Sequence, residues 1–188
     1  MDLYLIRHTQ PQIEAGLCYG ALDVPLALGG SAACSAVAAR LPPVDAVWTS
    51  PLARCCALAD AIGARMNLAP ATDDRLRELS FGAWEGRPWS ALARDETDRW
   101  AADYWNIAPP DGESYCELHA RVVAALADIV SRAARRVAVV THAGPVRALL
   151  AHCLKLEPSR YPDVDLHYGG INLLRGGDAG WRVEYLNG

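Results

Sequence analysis

The sequence has no stretch typical of a targeting or membrane-spanning segment. Met1 and Asp2 lead directly into an apolar strand, with no basic region ahead of a signal-peptide core. Nowhere do apolar residues continue for the roughly 20 uninterrupted positions that a membrane helix needs. We therefore expect a cytoplasmic protein that has no membrane partner.

The sequence also lacks an excess of positive charge. Lys and Arg total 18 against 22 for Asp and Glu, which gives a formal net charge of -4. Proteins that bind nucleic acid without sequence preference need a strongly basic surface, so nucleic acid is not an expected partner. A small local cluster of arginines remains compatible with this balance.

None of the six cysteines forms a CxxC pair, which excludes a zinc ribbon and a thioredoxin-type motif. Four of them lie among alanines and leucines, where free cysteine behaves as a small core residue. These four are Cys34, Cys55, Cys56 and Cys153. A reducing compartment fits this usage, and no metal site is expected.

The 188 residues contain no internal repeat, low-complexity tract or linker, and so predict a single domain over 1–188. Unbroken apolar strands alternate with helical segments, which favours a mostly parallel sheet covered on both faces. Predicted strands are 3–6, 45–49 and 137–141, with a brief edge strand within 69–74 and two late strands near 170–175 and 181–186. Predicted helices are 30–41, 51–66, 88–105, 114–135 and 143–154.

Helix-capping residues sharpen two of these boundaries. Ser50 and Pro51 have the chemistry of an N-cap and a first helical residue. Ser114 with Glu117 predicts a capping box for the helix that runs to about Arg135. Arg135 and Arg136 would then lie favourably at the negative end of that helix.

Three of the predicted strands end in cationic or reactive side chains. The first ends at Arg7 and His8, the second leads to Arg54 within the first turn of a helix, and the third ends at His142. Taken singly, each could be a solvated end charge or an ordinary loop residue. If the strands are parallel neighbours, however, all three ends open on one crevice, where such sheets bind their ligands.

Helix N-termini contribute anion-binding N–H groups to this crevice. The backbone of Ala143 and Gly144 begins the helix after the third strand, and unpaired N–H groups at such a start attract anions. Together with two guanidinium groups and two imidazoles, they predict a phosphate pocket. A leaving alkoxide also needs a proton donor. Glu78 is our candidate for this acid, and Glu85 is a second choice.

Other polar and aromatic residues have structural interpretations. His119 and His152 fall inside predicted helices and His167 in a late strand, so we expect none of them to act on substrate. Trp100 and Tyr104 are four apart on one helical face, which is typical of packing. An aromatic wall for a substrate base is an alternative that the sequence leaves open.

Four ordered motifs resemble the histidine phosphatase superfamily, whose fold is also called phosphoglycerate-mutase-like. Its implied architecture is a three-layer α/β/α sandwich with a mostly parallel central sheet. Tyr19-Gly20 is a minor agreement. The four motifs are Arg7-His8-Thr9, Ser50-Pro51-Leu52-Ala53-Arg54, Glu78 with Phe81-Gly82, and Thr141-His142-Ala143-Gly144.

Within that superfamily the chain looks most like the alpha-ribazole phosphatases of cobalamin biosynthesis. The similarity lies in 76–85, in 105–113 and in the closing 186–187. The chain departs from the usual pattern at Thr9 and Ala143, both small changes that keep the backbone donors. The resemblance implies that about 80–112 forms a lid that selects the substrate, a small phosphate monoester.

The resemblance also implies a mechanism without metal or cofactor. His8 would attack phosphorus and become phosphohistidine, and Glu78 would act as acid and then base. His142, Arg7, Arg54 and the backbone of Ala143 would hold the phosphoryl oxygens. Candidate substrate contacts are Thr9, Tyr19, Gly20, Glu85 and Trp105.

Two other functions stay open at this stage. One is a phosphoglycerate mutase or a broad-specificity sugar-phosphate phosphatase, which would use extra basic residues such as Arg87, Arg94 and Arg99. The many aromatics of the same segment favour an apolar leaving group instead. The other is a non-catalytic module that binds phosphorylated ligands. The oligomeric state, including a homodimer, is not predicted.

Overall fold

The computed structural model describes residues 1–132, 134–157, 164–177 and 180–188. They form a six-stranded sheet in the order β3-β2-β4-β1-β5-β6. The strands are β1 (Asp2–Arg7), β2 (Ala46–Thr49), β3 (Ala71–Thr72), β4 (Arg136–Thr141), β5 (Ile171–Gly177) and β6 (Gly180–Tyr185). The α-helices are α1 (Gly30–Arg40), α2 (Ala53–Met66), α3 (Arg94–Ala102), α4 (Tyr115–Ser131) and α5 (Ala143–Leu154).

The centre of the sheet is parallel. Strand β4 pairs in parallel with both β1 and β2, and β3 pairs in parallel with β2. Strands β5 and β6 run antiparallel and close one edge. Val140 of β4 lies opposite Ile6 on one side and Thr49 on the other. The three central strands therefore end at the same level, as the crevice hypothesis requires.

Helices cover both faces of the sheet. Leu3 and Leu5 of β1 join the core that α4 and α5 build, whereas Tyr4 and Ile6 join the core of α1 and α2. Alternate side chains of one strand are thus buried on opposite faces, which is why the strand is apolar throughout. The three-layer α/β/α sandwich is confirmed. Within the described residues, every helix is too short or too polar to cross a bilayer.

The start of α2 corrects one capping prediction. The helix begins at Ala53, and Leu52 is the N-cap residue without a side-chain hydrogen bond. Ser50 is not the cap, because its hydroxyl lies 2.8 Å from His142 Nε2 and belongs to the site. The three residues between β2 and α2 are not helical, so Arg54 occupies the second helical position instead.

Helix α4 has the predicted capping box, with both reciprocal bonds of Ser114 and Glu117 present. Its predicted end is wrong, because the helix stops at Ser131. The backbone N–H groups of Arg135 and Arg136 donate to the Asp45 carboxylate, which begins strand pairing there. These two arginines therefore lie beyond the helix rather than at its negative end.

The segment predicted as a helix over 88–105 is broken. A single 3₁₀ turn covers Trp89–Ala91, and α3 follows after extended backbone at Leu92 and Ala93. Trp89 and Trp100, which lie on either side of this break, stack on each other. His167 also differs from the prediction, since it precedes β5 and its N–H donates to Asn187.

Candidate active site

The ends of β1 and β4 bring two imidazoles together. The His8 N–H continues the β1–β4 ladder by donating to the Thr141 carbonyl at 2.9 Å. The next residue along β4, His142, is the N-cap residue of α5. The ring centroids of His8 and His142 lie 5.1 Å apart in an edge-on arrangement, and both side chains are buried.

The tautomer of His8 follows from one hydrogen bond. Its Nδ1 lies 2.7 Å from the Thr9 carbonyl oxygen, which can only accept. The ring proton is therefore on Nδ1, and Nε2 carries a lone pair. Burial, together with the charges of Arg54 and Arg7, lowers the pKa of His8 to about 3 despite that hydrogen bond. His8 is thus a neutral imidazole with Nε2 available as a nucleophile.

The His142 ring is held in place by contacts with residues at the start of α2 and just before it. Its Nε2 lies 2.8 Å from the Ser50 hydroxyl and 3.4 Å from the Cys55 sulfur. Burial, followed by the charges of His8 and Arg54, holds its pKa well below the ordinary value. The ring is neutral here and makes a hydrogen-bonding contact rather than a fixed charge.

Two arginines supply positive charge without a carboxylate partner among the described residues. Arg54 is fully buried, and its Nη atoms donate to the carbonyls of Leu22 and Gly20 at 2.8 and 2.7 Å. Arg7 donates to the Leu166 carbonyl at 2.6 Å. Carbonyls orient a guanidinium but do not neutralise it, so both charges favour an anionic ligand.

A pair of tyrosines lies over these arginines. The centroid of the Tyr168 ring lies 3.7 Å from the Arg7 guanidinium carbon and 5.5 Å from the centroid of the His8 ring. Its hydroxyl is 2.7 Å from that of Tyr19, whose ring is 5.6 Å from the Arg54 guanidinium carbon. Sequence reasoning named Tyr19 but missed Tyr168, which lies between His167 and Gly169 with no motif around it.

Glu78 lies across the site on the N-terminus of α5. Its carboxylate accepts the N–H of Gly144 at 3.1 Å and that of Leu79 at 3.0 Å. A Cβ at Gly144 would lie 2.3 Å from Glu78 Oε1, so glycine is required for this contact. The structure thus places the sequence-predicted acid at the same cavity as His8.

A cavity of about 430 Å³ joins this cluster to an aromatic compartment. Arg7, His8 and Glu78 line one end, and Arg147 is a further cation of its wall. Trp89 and Trp100 stack with ring centroids 6.2 Å apart, and Phe81 meets both rings edge-on. Other aromatic members of the lining are Tyr19, Tyr104 and Tyr115.

Several sequence-predicted contacts lie away from the cavity lining. Glu85 accepts backbone N–H groups of Ala21 and Phe81, each at 2.9 Å, and so holds two loops together. Thr9 is buried, with its hydroxyl 3.4 Å from the Cys34 sulfur. Trp105 lines a different cavity, together with His119, His152 and Trp181.

The other sequence-predicted residues contribute backbone groups or are buried behind the cavity lining. Gly20 offers its carbonyl to Arg54, and a Cβ there would lie 1.9 Å from the Leu79 oxygen. Ala143 begins α5, so its N–H has no acceptor within the helix. Arg54 and His142 are fully buried beside His8 and do not themselves line the cavity.

The family model of the histidine phosphatase superfamily (branch 1) matches residues 3–188. The chain belongs to this superfamily. It is a phosphatase, in agreement with the names of its relatives. Glucosyl-3-phosphoglycerate phosphatase of Mycobacterium tuberculosis is 31% identical over 201 residues, covering 95% of this chain and 82% of that protein. Phosphoserine phosphatase 1 of Hydrogenobacter thermophilus is 27% identical over 168 residues, covering 86% of this chain and 80% of that protein.

Solved structures of the superfamily share the fold. The alpha-ribazole phosphatase of Shigella flexneri superimposes with a TM-score of 0.92, covering 100% of this chain and 96% of that one. At 24% sequence identity this likeness concerns architecture alone. The histidine phosphatase core is therefore shared, whereas the names of the relatives point to different substrates.

Proposed function

We propose that this phosphatase is a metal-independent phosphomonoesterase that works through a phosphohistidine at His8 and dephosphorylates alpha-ribazole 5'-phosphate. The observation that carries the chemistry is the bond from His8 Nδ1 to the Thr9 carbonyl. It leaves Nε2 unprotonated, within the influence of two arginines that no carboxylate neutralises among the described residues. A neutral nucleophile beside an anion-binding cluster is what in-line attack on phosphorus requires.

The first half-reaction forms the nitrogen–phosphorus bond and breaks the phosphorus–oxygen bond to the leaving group. The leaving oxygen takes a proton from the carboxyl group of Glu78. Arg7, Arg54, His142 and the Ala143 N–H stabilise the charge on the equatorial oxygens. Because the arginines supply positive charge, this step needs no metal ion.

The second half-reaction releases phosphate. The Glu78 carboxylate takes a proton from water, whose oxygen attacks phosphorus as the bond to Nε2 breaks. His8 returns to the neutral form, and Glu78 regains the proton needed for the next turnover. One acid–base group therefore serves both halves of the cycle.

The aromatic compartment supports a flat, weakly polar leaving group. Phe81, Trp89 and Trp100 line the same cavity as His8, and all come from the proposed lid, about 80–112. A heterocyclic base such as that of alpha-ribazole fits this lining by stacking. A substrate recognised mainly by charge would be better served by several cations there.

A phosphorylated hydroxy or amino acid is a second candidate substrate. Arg147 lines the cavity and directs Nε to the Val164 carbonyl at 3.0 Å, which leaves part of its guanidinium for a carboxylate. The relatives named for phosphoserine and for glucosyl-3-phosphoglycerate act on substrates of this acidic kind. We rank this second, because Arg147 is a single cation in a mainly aromatic wall.

The cytoplasm is part of the proposal. All six cysteines lie in described positions and are free thiols. Burial raises the pKa of Cys18 and of Cys153 to about 12, so both behave as inert core residues. Free thiols persist in a reducing compartment.

The test is phosphate release from alpha-ribazole 5'-phosphate, phosphoserine, 3-phosphoglycerate and p-nitrophenyl phosphate, with EDTA present, for the parent and His8→Ala. A preference for the ribazole ester that His8→Ala loses supports mechanism and substrate together. A preference for phosphoserine or 3-phosphoglycerate keeps the mechanism and replaces the substrate. Activity that EDTA removes contradicts the metal-independent reaction, and no release at all favours a binding module.

A further inference from the structure

Arg121 of α4 divides its guanidinium N–H groups between the Glu113 carboxylate and the segment that carries Glu78. Its Nε and Nη2 donate to the two oxygens of Glu113 at 2.9 and 2.5 Å. Its Nη1 donates to the carbonyls of Arg75 and Arg77 at 2.7 and 2.8 Å, and Nη2 also reaches the Glu78 carbonyl at 3.1 Å. A guanidinium has five N–H donors, and five acceptors are present.

The segment that receives these bonds has little regular structure of its own. After a 3₁₀ turn that ends at Leu76, Arg77 is extended, residues 78–80 are in neither helix nor strand, and no strand pairs with this segment among the described residues. The Thr141 hydroxyl binds the Leu76 carbonyl at 2.6 Å, which completes four consecutive carbonyls held by side chains. On the far side of Glu78, the Ser80 N–H donates to Glu113 at 3.0 Å.

We propose that Arg121 is a positioning residue for the proton transfer, fixing the Glu78 carboxyl group at the leaving-group oxygen through its bonds to the Arg75, Arg77 and Glu78 carbonyls and to Glu113. The inference rests on the proposed function, since Glu78 is the acid there. Arg121 acts at a distance from the reacting atoms and does not line the cavity.

The side-chain chemistry explains why arginine occupies this position. A planar guanidinium can bind a carboxylate with two parallel bonds and carbonyls with its remaining donors, whereas a lysine ammonium presents three donors at one point. Arg121 and Glu113 are each about four-fifths buried, with side-chain exposures of 22% and 20%. Their geometry is thus fixed by neighbours rather than by solvent.

The test compares two aromatic esters that differ in leaving group. Benzyl phosphate releases an alkoxide and needs a proton, whereas p-nitrophenyl phosphate releases a stable phenolate and needs little assistance. For Arg121→Lys we expect kcat/KM to fall about 30- to 100-fold on benzyl phosphate, since small misplacements of a catalytic group are that costly. On p-nitrophenyl phosphate we expect a fall of no more than about 3-fold.

Arg75→Lys is the matched control. Arg75 joins the same segment to the same helix through Asp128, at 2.8 Å, but its side chain does not bind the carbonyls around Glu78. We expect both esters to be hydrolysed at nearly the parent rates. Both rates scale with the amount of folded enzyme, so their ratio is insensitive to partial unfolding. Glu113→Gln replaces Arg121→Lys if the latter yields no folded protein.

The outcomes separate this inference from the proposed function. Equal losses of Arg121→Lys on both esters, or no loss, overturn the positioning role. Glu78→Gln is measured alongside, and its kcat/KM is expected to fall selectively on benzyl phosphate, because kcat/KM reports formation of the phosphohistidine and not its hydrolysis. If it does not, the assignment of the acid is wrong. If Glu78→Gln is selective and Arg121→Lys is not, the positioning role alone is wrong.

Discussion

The two ends of the proposed active-site cavity, one for the phosphate and one for the leaving group, are built in different ways. At the phosphate end, His8 and His142 leave adjacent parallel strands and lie at the level of a helix N-terminus, so backbone topology fixes them. At the leaving-group end, Trp89 belongs to a 3₁₀ turn and Trp100 to a short helix. The two elements contact each other where the rings of these tryptophans stack. One end is set by the sheet and the other by side-chain packing.

This difference separates catalysis from specificity. A phosphoryl group needs the same nucleophile and cations in every substrate, and a rigid sheet keeps them in place. A leaving group varies, and loops on a rigid scaffold can change without disturbing the sheet. The variants below act on one end at a time.

The largest expected effect is at the nucleophile. His8→Ala removes Nε2 and should lower kcat by about 10⁴-fold or more on every ester, because no other group forms the covalent bond. Steady-state assays on p-nitrophenyl and benzyl phosphate measure it. A fall on only one of the two esters would contradict a role shared by all substrates.

The next largest effect is expected at the proposed acid, Glu78, which Gly144→Ala should disturb. The added methyl would meet Glu78 Oε1 at 2.3 Å, so the carboxyl group must move. We expect kcat/KM on benzyl phosphate to fall about 100-fold and that on p-nitrophenyl phosphate far less, because kcat/KM reports formation of the phosphohistidine and not its hydrolysis. Similar losses on both esters would show a general disturbance of α5 instead.

The aromatic end should affect affinity rather than chemistry. Trp89→Leu removes a ring from the cavity wall, so we expect KM for alpha-ribazole 5'-phosphate to rise about 10-fold with kcat nearly unchanged. Inhibition by inorganic phosphate should not change, because the phosphate end is intact. Trp105→Leu is the control, since Trp105 lines the other cavity. An equal effect of both variants would contradict the assignment of the wall.

The smallest effect concerns stability at the phosphate end. The pKa of His8 is about 3 in the folded protein against an ordinary 6.5. Between these values the unfolded chain binds a proton that the folded chain does not. The free energy of unfolding should therefore decrease as the pH falls below about 6.5, by up to about 1 kcal/mol per pH unit for this residue. Burial lowers the pKa of His142 in the same direction.

Urea unfolding at pH 7, 6 and 5 measures this dependence. His8→Gln lacks the titrating group, so its stability should depend less steeply on pH than that of the parent. Parallel dependences for the two proteins would show that His8 is not buried as a neutral ring. The pH dependence that remains in the stability of His8→Gln then reports the titration of His142 and of the other ionisable groups.

The sequence predicts the phosphate end well for a physical reason. An unbroken apolar strand indicates a buried parallel position, so the residues just after it must lie at the crevice. That reasoning locates His8, Arg54 and His142 before any contact is known. It misplaces the start of α2, because the hydroxyl of Ser50 has two competing uses and the site takes it.

The parts of the site that the sequence does not predict depend on contacts between distant segments. Tyr168 contacts Arg7 from a loop near the other end of the sequence. Arg121 occupies the border of the apolar stripe of α4, three residues after the buried Leu118. A cation at such a border is a usable signal for a structural role, yet its carbonyl acceptors cannot be predicted without the fold. Trp105 lines a different cavity from His8, a placement that also depends on the fold.

The central claim is that His8 carries the phosphoryl group during turnover. A single-turnover reaction of Glu78→Gln with p-nitrophenyl phosphate, quenched in alkali, should trap it, because loss of the base slows hydrolysis of the intermediate. Mass spectrometry of the digested protein should find one phosphoryl group on His8, alkali-stable and acid-labile. Release of p-nitrophenol with no phosphoryl group on the protein, or with the group on another side chain, would contradict the account.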